Sequence, residues 1–405
     1  MRNPLSRREA LGSLAGVGSL ALAGCVSSVL PDNSVDPVWR RDLEQASGAS
    51  PPTVGGQHLL VGGQDKALYG LALDDGTTQF RVETGGPIEA RPVAPDFGGP
   101  YHVHSTDGDL YTVGQSGERR WHVEGLHERG VLGRYGSLVV DLDLTDDLLR
   151  GYDVKTGEPR FEREHAGYRQ PEQADDGIAV VLPAETDDRH RLAVLAQDGS
   201  VRWQTEPSRL YPDVGADSRL LVAARGPDVT GYDPADGTVR WETTVTGRDG
   251  FDNVALGSLV YLHSFHGDGG NEVVALDRQT GEVRWRRTAG YRVAAVEPTD
   301  DAVFVGSEVD DPDGGILARV DCFGNDGTRR WKTTTEMPSL ERLVVSGYAA
   351  VAASDRSLTA LDWETGKTRW TYEADSHGRV GVAGAPDGVF VSNIDRGKVA
   401  KLLTT

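Results

Sequence analysis

The chain is 405 residues long and carries 62 acidic against 42 basic side chains, for a formal net charge of −20 and a pI near 4.9. A surface of that sign repels phosphate and argues against nucleic acid as a partner. With only two cysteines, Cys25 and Cys322, no disulfide framework is available, and a chain of this length stays one domain only if it grows by repeating units.

Residues 1–24 read as an address rather than as fold. Ser6-Arg7-Arg8-Glu9-Ala10-Leu11 resembles a twin-arginine (Tat) export motif, with Arg7 and Arg8 as its pair. The apolar stretch from Leu11 to Ala23 follows and is too short to span a membrane. Leu22-Ala23-Gly24-Cys25 resembles the lipobox of secreted lipoproteins, which implies a lipid on the Cys25 thiol and a new N-terminus there. A two-chain lipid anchors stably, at about 0.8 kcal/mol per buried CH₂. The expected location is therefore extracytoplasmic, on the outer face of the cell membrane, with residues 25–36 as a lipidated tether. The alternative is a signal cut elsewhere, with Cys25 an ordinary residue. Lys occurs 6 times against 36 Arg, and Asp is abundant. That composition resembles the proteins of salt-loving (haloarchaeal) organisms, an acidic secreted protein of ordinary habitat being the alternative.

From residue 37 onward one unit recurs. Its marker is an aromatic residue: Trp39, Phe80, Trp121, Phe161, Trp203, Trp241, Trp285, Trp331 and Trp370, at intervals of 38 to 46 residues. Each unit breaks into four short segments. In residues 251–288 they are F-D-N-V-A-L-G, L-V-Y-L-H-S-F, N-E-V-V-A-L-D and V-R-W-R-R-T. Apolar alternation bounded by Gly, Asp and Asn is a strand pattern, and no stretch after the address sustains a 3.6-residue period, so the fold class is all-β.

The turn before the fourth segment is the most regular part. It reads D-x-x-T-G at Asp153-Thr156-Gly157, Asp277-Thr280-Gly281 and Asp362-Thr365-Gly366 and, with Asp in place of Thr, at Asp233-Asp236-Gly237. The Asp and Thr side chains bond nearby backbone N–H groups, and Gly supplies the positive φ of a hairpin. The aromatic comes four residues after the Gly, and its bulk is expected to fill the gap to the next unit. Basic neighbours such as Arg284, Arg286 and Lys332 would charge an otherwise exposed sheet edge.

Four-strand units at a period near 40 indicate a β-propeller. A-L-D-R-Q-T-G-E-V-R-W (Ala275–Trp285) and A-L-D-W-E-T-G-K-T-R-W (Ala360–Trp370) resemble the tryptophan-docking motif of the pyrroloquinoline quinone (PQQ)-type propeller repeat. The resemblance covers residues 37–403, nearly complete in those two units and partial elsewhere. The family includes quinoprotein alcohol dehydrogenases and the assembly lipoprotein BamB. It implies eight four-stranded blades and, for its enzymes, PQQ and calcium on the axis with a carboxylate and neighbouring cysteines. This chain departs from the enzymes: it has no adjacent Cys pair, no C-x-x-C-H motif and no long insertions. The leading expectation is no cofactor, with PQQ and calcium as an alternative to which no residue is assigned.

The last unit stops early. Residues 379–403 offer R-V-G-V-A-G, G-V-F-V-S-N and K-V-A-K-L-L with no terminal aromatic. The N-terminal strand 37–43, P-V-W-R-R-D-L, is expected to pair with this unit (378–403) as its fourth strand, closing the circle and removing an open edge. Whole units at 51–84, 88–124, 130–164, 168–206, 211–244, 251–288, 293–334 and 340–374 then give nine blades by repeat count, against eight by family habit. Eight requires one unit to be an excursion, and 130–164, with Phe161, is the candidate. The propeller domain spans residues 37–405.

No P-loop, H-E-x-x-H, C-x-x-C or G-x-S-x-G is present after the address. His102 and His104 lie two apart on a strand and share a face, a spacing that suits a metal, but no third ligand is visible. Asp141 and Asp143 share a strand face in the same way. Asp310-Asp311-Pro312-Asp313-Gly314-Gly315 departs from the calcium-loop pattern and reads as a solvated turn. No metal is therefore assigned and no catalytic residue is named. The leading reading is a membrane-anchored, non-catalytic binding or scaffold propeller with an unidentified protein or polymer partner. The alternatives are a PQQ- and calcium-dependent dehydrogenase, or a binder of sugars or other small ligands at the axis. First strands there carry mixed residues (Val54, Glu89, Gln170, Asp213, Asn253).

Overall fold

The computed structural model describes residues 34–404 apart from 44–45, 96–97, 128–129, 167–169, 185–188, 210, 247–249, 252, 264–271 and 375–378. The export pair Arg7 and Arg8, Cys25 and the tether up to residue 33 lie outside the described residues.

Every element among the described residues is a β-strand, and the strands form nine antiparallel sheets. Blades 1 to 8, in chain order, span residues 53–83, 93–123, 130–164, 172–204, 213–244, 253–288, 292–334 and 342–373. Blade 9 joins Val380–Ala385, Gly388–Asn393 and Lys398–Leu403 to the N-terminal strand Trp39–Asp42. That strand pairs with the last one in the register Trp39↔Lys401, Arg40↔Ala400, Arg41↔Val399, Asp42↔Lys398, so the ring closes as expected.

The count is nine. The eight-bladed alternative fails because 130–164 is a complete four-stranded sheet, not an excursion. It receives the aromatic of the blade before it and sends its own to the blade after it. Blade 2 is the irregular one, with three strands in its sheet. Its inner strand is reduced to the bridge Val93↔His102, because Pro92 and Pro95 have no N–H to give to a ladder.

Sequence pattern follows position in the blade. The second and third strands are sandwiched between neighbouring blades and read as continuous apolar runs, as in Leu59, Leu60 and Val61, all fully buried. The outer strand has one face on a neighbour and one in solvent. Val283–Thr288 accordingly alternates, with Trp285 buried between the exposed Arg284 and the half-buried Arg286.

The aromatic of each blade lies on the turn glycine of the next. Trp39 covers Gly76, Phe80 covers Gly117, Trp121 covers Gly157 and Phe161 covers Gly199. Trp203, Trp241, Trp285 and Trp331 do the same at Gly237, Gly281, Gly327 and Gly366. All eight glycines have φ between +68° and +85°, and a Cβ on any of them would sit inside the aromatic contact. The indole N–H adds a bond into the same turn: Trp241 donates to the Arg278 carbonyl at 3.0 Å and Trp285 to the Asn325 carbonyl at 3.0 Å. Blade 9 has no such turn, and Trp370 donates to the Leu403 carbonyl at 2.7 Å instead. Within each of blades 1 to 8 the ladder slips by one residue beside the aromatic's cross-strand partner, for example between Ala275 and Leu276.

The basic residue before the aromatic has a more specific place than charging an edge. Arg160, Arg240, Arg284 and Arg369 each reach back to the turn Asp of their own hairpin at 2.6 Å (Asp153, Asp233, Asp277 and Asp362). The other oxygen of Asp277 accepts from the Gln279 and Thr280 amides at 2.8 and 2.9 Å. These bonds, that from Arg284 foremost, hold the Asp277 carboxyl down at about 2. Exposed pairs of this kind contribute about 0.2–1 kcal/mol each, so they tune the turn that the aromatic holds.

The dock gives the first prediction. Trp241→Ala should destabilise the protein by about 3–5 kcal/mol, and Gly281→Val by about 1–3 kcal/mol or more from its φ of +72°. Because both remove one contact, the double variant in chemical denaturation should lose clearly less than the sum. Full additivity would mean that ring and glycine do not act together.

Candidate functional site

Polar side chains concentrate in the seam between blades 2 and 3. Alternation along Tyr101–His104 sends Tyr101 and Val103 into the blade 1 side. His102 and His104 therefore point the other way, toward blade 3. Along Leu138–Asp143, Leu138, Val140 and Leu142 pack toward blade 4, leaving Val139, Asp141 and Asp143 facing blade 2. The two pairs noted in the sequence thus lie on opposing walls of one seam.

Its members take different roles. His102 Nδ1 bonds Thr112 Oγ1 at 2.8 Å and its ring lies against Trp121. Burial, and after it the nearby Arg134 charge, push His102 down to about 3, so it is a neutral core group. Asp143 accepts the Thr145 and Asp146 amides at 2.9 and 3.2 Å and meets Arg150 Nη1 at 3.3 Å. His104 instead stacks on His127, ring centroids 4.6 Å apart, and His127 Nε2 lies 2.7 Å from Asp141 Oδ2. His104, His127 and Asp141 can each offer one ligand atom, all within 4.8 Å of one another. His127 comes from the connection between the two blades. It is the third candidate ligand that the sequence did not reveal.

His104 Nε2 and Asp141 Oδ1 have no hydrogen-bond partner among the described residues. Both residues are buried, His104 at 4% exposure and Asp141 at 0%. Burial lowers the pKa of His104, against the opposing pull of Asp141, so its imidazole stays neutral with a lone pair to give. The acidic loop at 310–315 differs in every respect: it is an exposed hairpin turn in which Asp311 accepts the Asp313 amide at 3.0 Å.

A second polar region lies on inner strands. His165, Gln170, Glu172, Tyr211 and Asn253 line a cavity of about 220 Å³ across blades 4 to 6. Burial raises Glu172 to about 7. Farther round, Glu297 and Arg342 share a wider opening, where burial raises Glu297 and Arg342 opposes the rise. PQQ is a tricarboxylate and needs cationic partners. The described lining around Glu172 contains no Arg or Lys, and Cys322 is buried in blade 7 as a free thiol. This cavity therefore offers the quinone no cationic partner.

Nine four-position blades closed by the N-terminal strand and docked through turn glycines define a β-propeller of PQQ-like repeats. The chain belongs to the family described as outer membrane protein assembly factor BamB, whose model matches residues 30–175, 188–321 and 250–385. No curated protein matches the chain. Among solved structures it is similar to the computationally designed Ika8 protein (15% identity, TM-score 0.57, 91% of this chain and 99% of that one). It is also similar to Sqt1 of Saccharomyces cerevisiae (10%, 0.51, 91% and 99%) and BamB of Moraxella catarrhalis (17%, 0.49, 81% and 97%). At these identities Ika8 and Sqt1 speak for the fold alone.

The Glu172 environment makes a signed prediction. A carboxyl whose folded-state pKa is raised gives stability that is present below its ordinary value near 4.5 and is lost as pH rises through about 7. Over that window wild type should lose stability relative to Glu172→Gln in denaturation series. Parallel pH profiles would show that Glu172 is solvated in solution.

Proposed function

We propose that the protein is a lipid-anchored extracytoplasmic propeller that binds a protein or polymer partner through its blade-face loops and performs no catalysis. The observation that carries this reading is the closed, cross-docked ring within a family whose named member is an assembly factor. Such a ring is a rigid platform from which loops project. The lipobox-like Leu22-Ala23-Gly24-Cys25 supplies the anchor. Only 13 residues lie between Cys25 and Trp39, so a fully extended tether keeps the ring within about 50 Å of the bilayer. The acidic, Lys-poor composition supports a high-salt archaeal habitat, whose envelope has no outer membrane. What carries over from the family is the binding role, not outer-membrane assembly.

Replacing Cys25 by Ser should release the protein from the membrane fraction, and Arg7→Lys with Arg8→Lys should block its export. Retention of the Cys25→Ser protein in membranes would remove the anchor from the proposal. Cross-linking and recovery of the anchored wild type should yield one stable partner, and recovery of none would count against a binding role. The cavity around Gln170, Glu172 and Asn253 favours a second reading, a small polar ligand on the inner strands. A thermal-shift response to a neutral sugar panel that disappears in Asn253→Ala would support it.

A further inference from the structure

We propose that His104, His127 and Asp141 bind one first-row divalent transition metal, with Zn²⁺ as the best fit, and that this metal staples blade 2 to blade 3.

The seam needs such a staple. Its buried apolar cluster comprises Leu110, Val139, Tyr152 and Val154, whereas the seam between blades 5 and 6 buries twelve residues in one cluster. Blade 2 also lacks a full inner strand. Beside that small cluster this seam buries imidazole and carboxylate. Burial of such groups is costly unless their lone pairs and charge are answered.

Within the protein they are answered only in part. The carboxylates of Asp141 and Asp143 face one guanidinium, that of Arg150, which lies 3.3 Å from Asp143 and 3.9 Å from Asp141. Arg150 is also drawn outward to Glu162 at 2.9 Å. His104 Nε2 and Asp141 Oδ1 are buried lone-pair atoms with no hydrogen-bond partner among the described residues. A cation placed among the three side chains takes a lone pair from each residue and neutralises the carboxylate at once.

The donor set selects the metal. Two imidazoles and one carboxylate suit Zn²⁺ and its first-row neighbours, whereas Ca²⁺ and Mg²⁺ require mostly oxygen. Geometry requires little movement. Around a tetrahedral Zn²⁺ two ligand atoms stand about 3.3 Å apart. The His127 Nε2–Asp141 Oδ2 pair therefore opens from 2.7 Å, and the remaining atoms draw in from within 4.8 Å. The proton shared by His127 and Asp141 leaves to solvent as the metal enters. The ligands come from a blade 2 strand, the connection after it and a blade 3 strand, so coordination ties together what the apolar contacts hold least.

Untagged full-length protein, stripped with chelator and titrated with Co²⁺, tests this. One equivalent should bind and give the visible d–d bands of a low-coordinate N/O site. Zn²⁺ should displace the Co²⁺ stoichiometrically and raise the Tm by several degrees. Asp141→Asn, which keeps the shape of the side chain, and His104→Ala should each weaken binding by at least tenfold and abolish the Tm rise. His122→Ala, at an exposed histidine outside the triad, should leave both unchanged. Failure of folded wild type to take up one equivalent at a few hundred micromolar metal would overturn the proposal. So would wild-type affinity in folded Asp141→Asn.

Discussion

The contact on which this structure depends is an aromatic ring laid on a glycine of the next blade. It works because two requirements coincide at one residue. The hairpin turn needs a positive φ, and the incoming ring needs a surface with no Cβ. Glycine meets both, so a single position sets the turn and the spacing between blades. Repeated at eight of the nine joins, the dock closes one blade-to-blade gap after another, and at the ninth Trp370 bonds the Leu403 carbonyl instead. The first strand then closes the circle with Trp39, which lies on Gly76 as any other docking aromatic would. Closure leaves no sheet with an open outer edge at the join.

The same architecture explains where polar chemistry can collect. Seams between blades are filled mainly by apolar side chains, and the seam between blades 2 and 3 buries two histidines and two aspartates as well. Its prolines shorten the inner strand of blade 2, and its walls carry His102, His104, Asp141 and Asp143. The inner strands are another place for polar groups, because every added blade widens the opening they surround. A nine-bladed ring has more inner surface to fill than an eight-bladed one. The cavity bordered by Glu172 and Asn253 lies on that surface.

Much of this was legible in the residues. Period, strand pattern, turn chemistry and the closing role of Trp39 could all be read because each is local or repeats. The pairing of Arg284 with Asp277 was also within reach, as an Asp and an Arg seven positions apart in four units. It was obscured by the simpler idea that basic residues blunt an edge. The histidine and aspartate pairs were visible as pairs, since alternation shows which side chains share a face. Alternation does not show which wall stands opposite. His127, in an irregular connection, carries no periodic signal at all.

The sequence by itself therefore determined the unit: four strands, a glycine turn, a docking aromatic, and a last unit lacking the strand that the N-terminus supplies. Those are consequences of backbone sterics and side-chain period within about 40 residues. Only the tertiary structure decided the number nine, because a weak unit such as 130–164 counts as a blade only when one neighbour docks on it and it docks on the other. It alone brought His104, His127 and Asp141 within reach of one another. That meeting depends on the lateral packing of two sheets, and no spacing along the chain encodes it.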